Sequence, residues 1–180
     1  TIVEGVHFRS EDPPETVGVK ALAVNLSDLA AMGATPHGYT LSAAWPSKTS
    51  ATWITDFATG LMAMQKRHHI HLLGGDTVAT PGPICVNVTA FGFVEKGCAV
   101  RRSGARPGDV LYVTGTLGDA ALGLRLLTGQ AGVHLSTDLQ SDLIARYQQP
   151  QPRTICSALV REHATSAIDV SDGLMADIAH

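Results

Sequence analysis

The sequence predicts a globular protein that combines α-helices with β-strands, and three observations support this. Residues 84–94 alternate between two faces with a period of two, as a half-buried strand does. Residues 15–32 repeat leucine and alanine at helical spacing, and Gly33 then offers the left-handed conformation that often ends a helix. The chain has 180 residues, of which 44% are hydrophobic, so one sizeable core or two small ones can form.

Strand-like runs and helical repeats follow one another in the first part of the chain. Asp12 and the two prolines after it favour a helix start at residue 15, with Asp12 as a possible N-cap. A second helix is predicted from the spacing of its apolar residues, Trp53, Phe57, Leu61 and Met64. The strands predicted in this part cover residues 1–8, 39–45, 70–74 and 84–94.

Residues 97–108 are rich in turn residues and contain three arginines. We therefore predict a domain boundary near residue 100, with one domain over residues 1–100 and a second that begins at residue 101 and continues to residue 180. The elements predicted in the second part are strands at 110–114 and 166–170 and helices at 118–128, 138–148 and 152–163, with a last helix after the second strand.

Composition and charge restrict the possible functions. The net charge of -3 and the scattered basic residues give no support for a nucleic-acid partner. The three cysteines lack the paired spacing of a zinc site or a disulfide framework. No apolar stretch is long enough for a membrane helix, and a cytoplasmic protein is expected. The chain opens without Met and closes within a helical pattern, so we expect a piece truncated at both ends.

Asp28 is the first candidate site residue. It lies near the end of the first predicted helix among alanine and leucine neighbours, and Asn25 shares its face. An aspartate in these surroundings can bind a hard metal ion. A solvated polar stripe on the helix also explains the spacing.

Two further motifs place aspartates at predicted strand ends. In Gly74-Gly75-Asp76-Thr77, the glycines allow a backbone to approach a ligand closely, and Asp76 can enter a crevice. In Asp169-Val170-Ser171-Asp172-Gly173, a strand-to-helix junction brings Asp169 and Ser171 to one face. A turn with local hydrogen bonds explains the first motif as well, and helix capping explains the second.

The coincidence of three acidic motifs favours metal binding. Two carboxylates about 4 Å apart repel each other by roughly 4 kcal/mol at an effective dielectric constant of about 20. A divalent cation reverses that sign and allows an acidic site to accept the phosphates of ATP. If the motifs converge, magnesium is the expected ion, although the sequence contains no P-loop or dinucleotide motif.

The basic residues give weaker signals. His68, His69 and His71 favour a solvated helix end over a metal site. Arg101 and Arg102 could clamp a phosphate, but adjacent arginines are more often solvated surface charges.

Five motifs, taken together, resemble the thiamine-monophosphate kinase family. They are Gly5-Val6-His7-Phe8, KALAVNLSDLAAMGA at residues 20–34, Gly74-Gly75-Asp76-Thr77, Arg102-Ser103-Gly104-Ala105 and AIDVSDGL at residues 167–174. That family is similar in fold to aminoimidazole ribonucleotide synthetase. The resemblance implies an α+β fold of two domains, in which the N-terminal domain dimerises through a mixed sheet and the second α+β domain follows.

The resemblance also implies roles for individual residues. It implies that His7 contacts thiamine phosphate. It implies ATP contacts from Gly75, Asp76, Arg102 and Ser171, and magnesium ligands at Asp28, Asp76, Asp169 and Asp172.

The activity implied is that of a homodimeric enzyme that uses ATP and several Mg²⁺ ions to convert thiamine phosphate to thiamine diphosphate. Transfer would be direct and in line, without a side-chain nucleophile. Family segments that precede residue 1 and follow residue 180 hold further ligands, so this piece is not expected to turn over alone. The alternatives are a noncatalytic nucleotide-binding or dimerisation module, and another ATP-using superfamily member similar to selenophosphate synthetase or to hydrogenase-maturation enzymes.

Overall fold

A mixed β-sheet is the central element of the structure, a computed structural model that describes residues 1–179. The sheet has four strands in the order β1-β4-β2-β3. The strands are β1 (Ile2–Val3), β2 (Thr35–Pro46), β3 (His71–Thr80) and β4 (Cys85–Phe93). β2 pairs in parallel with β3 and antiparallel with β4, and β4 is antiparallel to β1. With the helices described next, this confirms the predicted α+β fold.

Two long helices cover one face of the sheet, α1 (Pro14–Ala31) and α2 (Ala51–His68). Their apolar faces form one core with the inward side chains of the strands, where Trp45 of β2 meets Phe57 of α2 edge to face at 5.4 Å. Glycines bring the helices close together. A Cβ on Gly60 would lie 1.9 Å from the carbonyl oxygen of Glu15, so only glycine fits there.

The start and end of α1 follow the sequence signals only in part. The predicted helix is confirmed, and Gly33 takes the left-handed conformation with φ of 70° just after it. The prediction that Asp12 is the N-cap is wrong, because Pro13 occupies that position without a side-chain hydrogen bond. Asp12 instead closes the preceding turn, where its Oδ2 accepts the N–H of Arg9 at 2.9 Å.

The opposite face of the sheet has no helix on it among residues 1–179. Along β4, Val86 and Val88 point into the core, whereas the alternate residues point to this open face. Phe93 is 66% exposed and Val78 of β3 is 51% exposed. The sheet therefore presents apolar side chains on the side away from α1 and α2.

The second part of the chain is helical in the described residues. Its helices are α3 (Asp119–Leu127), α4 (Thr137–Gln148), α5 (Ser157–His163) and α6 (Leu174–Ile178), with 3₁₀ turns at Arg102–Gly104 and Thr154–Cys156. The predictions of helices at 118–128 and 138–148 are confirmed. The predicted helix at 152–163 is shorter, because Pro150 and Pro152 keep the chain out of helical conformation up to the 3₁₀ turn.

Three predicted strands are absent from the structure or shorter in it. The segments 110–114 and 166–170 form no strand, since no described strand lies beside them to share hydrogen bonds. Tyr112 is 86% exposed as a result. The predicted strand at 1–8 ends at Val3, because Gly5 takes φ of 79° and the N–H groups of Val6 and His7 fold back onto the Val3 carbonyl oxygen.

Hydrogen bonds join the second part of the chain to α1. The N–H of Val100 donates to the Met32 carbonyl oxygen at 3.2 Å, and the Arg161 guanidinium donates to the Gly33 carbonyl oxygen. Both hydrogen bonds satisfy carbonyl groups at the end of α1 that have no partner within the helix. None of the described helices combines the length and apolar character needed to cross a membrane.

Candidate functional site

Two aspartates from distant parts of the sequence meet at the end of α1. Asp28 lies in the last turn of that helix, and Asp169 lies in the extended segment that leads to α6. Burial, together with the charge of Asp28 and a hydrogen bond between the two carboxyl groups, raises the pKa of Asp169 to about 6. The structure therefore brings together two of the predicted site residues.

Asp177 organises the turn that follows Asp169. Its carboxylate is only 5% exposed, and its Oδ2 accepts the backbone N–H groups of Ser171, Asp172 and Gly173 at 2.9, 3.1 and 3.1 Å. Its charge also raises the pKa of Asp169. Asp177 was not among the predicted site residues, although an aspartate in the first turn after a Ser-Asp-Gly segment is a signal for such backbone capture.

Ser171 and Asp172 occupy this turn with exposed side chains. Asp172 neither begins nor caps the last helix, because α6 starts at Leu174 and Gly173 precedes it with φ of 116°. The turn is held by the carboxylate of Asp177 rather than by a cap from Asp172. Both side chains are thus free of the hydrogen bonds that hold the turn.

The Gly74-Gly75-Asp76-Thr77 motif lies within β3 and not at a strand end, so the predicted strand at 70–74 was too short. Gly75 sits so close to β2 that a Cβ would lie 1.8 Å from the Leu41 carbonyl oxygen. Asp76 pairs in register with Ser42 on the open face, and its Oδ1 accepts the N–H of Thr77 at 2.8 Å. The glycines thus continue the strand and expose Asp76.

The structure brings together only some of the predicted magnesium ligands. Across the part of the chain that the structure describes, no group of three or more acidic, histidine or cysteine side chains is close enough to hold a metal ion. Asp28 and Asp169 are together, whereas Asp76 and Asp172 are not joined to them in such a group. The four-aspartate set stays a prediction.

His7 lies in a tight turn after β1 with its side chain exposed. Its Nδ1 accepts the N–H of Val3 at 3.1 Å, so in the neutral ring the proton must be on Nε2. Its main-chain carbonyl accepts a hydrogen bond from Lys20 Nζ at 3.2 Å. The turn therefore presents an Nε2–H donor to solvent, as an anionic phosphate oxygen requires.

Arg102 begins a 3₁₀ turn with an exposed side chain. This turn packs against the segment before Asp169, where the Ser166 hydroxyl donates to the Arg102 carbonyl oxygen at 2.7 Å. Close packing requires Gly104, since a Cβ there would lie 1.9 Å from the Thr165 carbonyl oxygen. The backbone of the arginine motif is thus fixed, while the guanidinium can reach a ligand.

The histidines at the end of α2 are not all solvated, contrary to the prediction. His69 ends the helix in the left-handed conformation with φ of 52°. His68 is half-buried, and its Nδ1 lies 3.0 Å from the Thr154 hydroxyl. Burial lowers the pKa of His68 most, and the charges of Arg67 and His69 lower it further. This ring is therefore neutral near pH 7.

A mixed sheet with helices on one face, and paired carboxylates at the end of its first helix, define an α+β protein with an acidic site. The model of the family described as AIR synthase related protein, N-terminal domain, matches residues 1–94. The chain therefore belongs to the AIR synthase related protein family.

Comparison with individual proteins extends the similarity over the whole chain. The thiamine-monophosphate kinase of Caulobacter vibrioides is 44% identical over 179 residues, which are 99% of this chain and 49% of that protein. The crystal structure of thiamine-monophosphate kinase from Stenotrophomonas maltophilia K279a matches with a TM-score of 0.85 and 46% identity, over 97% of this chain and 55% of that one. The chain spans about half the length of the curated relatives it matches.

A second structure includes small molecules. It is AaThiL complexed with AMPPCP and TMP, which matches with a TM-score of 0.90 and 32% identity, over 97% of this chain and 55% of that chain. The residues discussed above thus lie in a region that is similar to a protein solved with those two ligands.

Proposed function

We propose that the protein to which this chain belongs is a thiamine-phosphate kinase, which transfers the γ-phosphoryl group of ATP to thiamine phosphate. The products are thiamine diphosphate and ADP. The observation that carries the proposal is the meeting of Asp28 and Asp169, a paired acidic site formed by two of the family motifs. The similarity to AaThiL complexed with AMPPCP and TMP supports the choice of substrates.

Magnesium fits the paired carboxylates. Two carboxyl groups that share a hydrogen bond keep either a proton or a cation between them, and the raised pKa of Asp169 reflects that need. Aspartate oxygens are the ligands that Mg²⁺ prefers. We propose that Asp28 and Asp169 hold Mg²⁺, with Asp76 and Asp172 as further ligands, and that the ion neutralises charge on the phosphate oxygens when bound.

The remaining site residues would bind the two substrates. His7 is proposed to donate its Nε2–H to a phosphate oxygen of thiamine phosphate, because Val3 holds the ring in the required tautomer. Arg102 and Ser171 are proposed to contact ATP through an exposed guanidinium and hydroxyl. Gly75 is proposed to let ATP approach the β3 backbone beside Asp76.

The reaction needs no covalent intermediate on the protein. An oxygen of thiamine phosphate forms a bond to the γ-phosphorus of ATP, and the bond from that phosphorus to the bridging oxygen of ADP breaks. His7 would orient the attacking phosphate, and Arg102 would offset charge on the transferred group. We assign no side chain the role of nucleophile.

We also propose the organisation of the protein around this site. Residues 1–100 form an N-terminal domain and residues 101–180 begin a second one, a division supported by the end of the family match at residue 94. The exposed apolar side chains on the open face of the sheet support a homodimer that joins through that face. Location in the cytoplasm stays a prediction.

Formation of thiamine diphosphate from thiamine phosphate and ATP, by protein expressed from the complete gene, tests the proposal. The product is expected with Mg²⁺ and is expected to disappear when EDTA removes the ion. A protein that binds ATP but forms no thiamine diphosphate would instead support the noncatalytic nucleotide-binding module.

A further inference from the structure

Lys20 is a buried cation for which the proposed reaction has no use. It lies on α1, and only 6% of the residue is exposed. Burial lowers its pKa and the charge of Asp12 partly offsets this, with a net pKa of about 8. A charged group is rarely this buried unless partners compensate for the lost water, so its contacts indicate what it does.

Two groups contact the Lys20 ammonium, and a buried carboxylate lies near enough to act on its charge. Its Nζ donates to the His7 carbonyl oxygen at 3.2 Å. The same atom lies 3.7 Å from the centroid of the Tyr147 ring, within the range of a cation–π contact. Asp12, which is 4% exposed, supplies the opposite charge.

Asp12 connects this cluster to α4. Its Oδ1 accepts a hydrogen bond from Gln148 Nε2 at 3.1 Å, and its Oδ2 accepts the Arg9 N–H at 2.9 Å. Burial, together with the charge of the nearby Asp12, raises the pKa of Tyr147 to about 12. Lys20 on α1 therefore contacts Tyr147 of α4, and the nearby Asp12 links α4 to the loop that contains Arg9.

The His7 turn is the one surface-exposed segment among the groups that Lys20 contacts. The imidazole is anchored by the Val3 N–H on one side, and the main-chain carbonyl of the same residue is anchored by Lys20 on the other. With both bonds in place, the backbone and the ring of His7 share one orientation. Loss of the Lys20 bond would remove the side-chain anchor of this carbonyl and leave the turn held by the backbone bonds of Val6 and His7 to Val3.

We propose that Lys20 is a positioning residue for the phosphate acceptor. It acts through the main-chain carbonyl of His7 and, held by Tyr147, keeps the His7 imidazole directed at the acceptor phosphate. This inference rests on the proposed function, in which His7 contacts thiamine phosphate. It adds that α4, far along the chain, supports the acceptor site through a buried cation.

Steady-state kinetics of the full-length protein test the proposal with Lys20→Met, Lys20→Arg and Tyr147→Leu, and with Lys48→Met as a control at an exposed lysine. Lys20→Met is expected to raise the KM for thiamine phosphate about tenfold, the effect of one hydrogen bond from a charged donor. The KM for ATP is expected to change less than about twofold, since the metal-binding side is untouched. Lys20→Arg keeps a cationic donor and is expected to recover most of the affinity.

Nuclear magnetic resonance of the His7 ring provides a readout that does not depend on turnover. The ¹⁵N shifts of His7, assigned with a His7→Gln variant, are expected to show Nε2–H in the wild type and a mixture of tautomers in Lys20→Met and Tyr147→Leu. Tyr147→Leu retains the lysine and serves as the test if Lys20→Met does not fold.

The two readouts separate the two hypotheses. Unchanged ring shifts and an unchanged KM for thiamine phosphate in Tyr147→Leu and Lys20→Met would overturn the positioning role. If the wild type makes no thiamine diphosphate while the ring shifts still respond to Lys20, the proposed function fails and the positioning of His7 stands. Equal rises in the KM values for both substrates would indicate a general structural role and would also overturn the proposal.

Discussion

The carboxyl groups of Asp28 and Asp169 meet, although 140 residues lie between them in the sequence. One belongs to the last turn of a long helix and the other to an extended segment before a short helix. Neither would be expected to approach the other without a cation or a proton between them. This contact makes the pair sensitive to pH and to divalent ions.

The pair predicts a pH dependence of stability. Because the pKa of Asp169 is raised in the folded state to about 6, the folded protein binds more protons than the unfolded protein between about pH 4 and pH 6. The free energy of unfolding is therefore expected to fall as pH rises through this window in the absence of metal. Asp28→Asn should flatten that slope in chemical denaturation measured at successive pH values, and an unchanged slope would contradict the contact.

Asp28→Asn is also expected to impair catalysis. It removes one charge from a proposed Mg²⁺ site, so the loss of kcat/KM should exceed the roughly 10- to 100-fold typical of outer-shell partners. Activity assays over a range of Mg²⁺ concentrations measure this. Asp142→Asn, at an exposed position of α4, is the control and should keep wild-type rates.

Asp177→Ala is expected to destabilise the protein by about 1–3 kcal/mol, because the backbone N–H groups of Ser171, Asp172 and Gly173 would lose their shared acceptor. Asp177→Asn retains an acceptor oxygen and should cost less. Thermal unfolding of both variants checks the order. Equal stability of the two would show that the carboxylate charge, rather than its hydrogen bonds, holds the turn.

Gly75→Ala and Gly74→Ala form a matched pair. Both glycines have nearly the same φ, 154° and 157°, but a Cβ on Gly75 would collide with β2 whereas one on Gly74 meets nothing within 4 Å. Gly75→Ala is expected to lose about 1–3 kcal/mol more stability than Gly74→Ala. Urea unfolding midpoints of the two variants provide the comparison, and similar midpoints would argue against the close approach of β2 and β3.

The open sheet face predicts an effect on oligomeric state. Phe93 is 66% exposed there, and Met62 on α2 is 61% exposed on the opposite side. Phe93→Asp is expected to convert a dimer to a monomer, since a charge would be buried at the interface. Met62→Asp should leave the dimer intact. Sedimentation velocity distinguishes the outcomes, and a dimer that survives Phe93→Asp would locate the interface elsewhere.

The spacing of apolar residues predicted the elements that depend mainly on residues near one another in the sequence. The long first helix and β4 were predicted correctly, because one face of each is apolar over many residues. The predicted strand at 70–74 stopped too early, since Gly74 and Gly75 resemble turn residues but here continue an extended strand. The segments 110–114 and 166–170 have strand-like composition, yet strands need partners that composition cannot reveal.

The candidate site could be predicted as a list of residues but not as an arrangement. The family motifs include Asp28 and Asp169, but their contact depends on the way α5 and the segment after it pack on α1. Lys20 belongs to a family motif as well, and nothing near it in sequence indicates its contact with Tyr147. Asp177 was missed because its partners are backbone groups, which any residue type supplies.

The helix α1 carries both Lys20 near its start and Asp28 near its end. Eight helical positions correspond to about 12 Å of rise, so this rigid helix would set the separation between the proposed acceptor and cation sides of the site. Inserting a single alanine between these two residues would lengthen the helix by about 1.5 Å and turn one end by about 100° relative to the other. Insertions and deletions within this helix should therefore be far less tolerated than those in the loops that flank it.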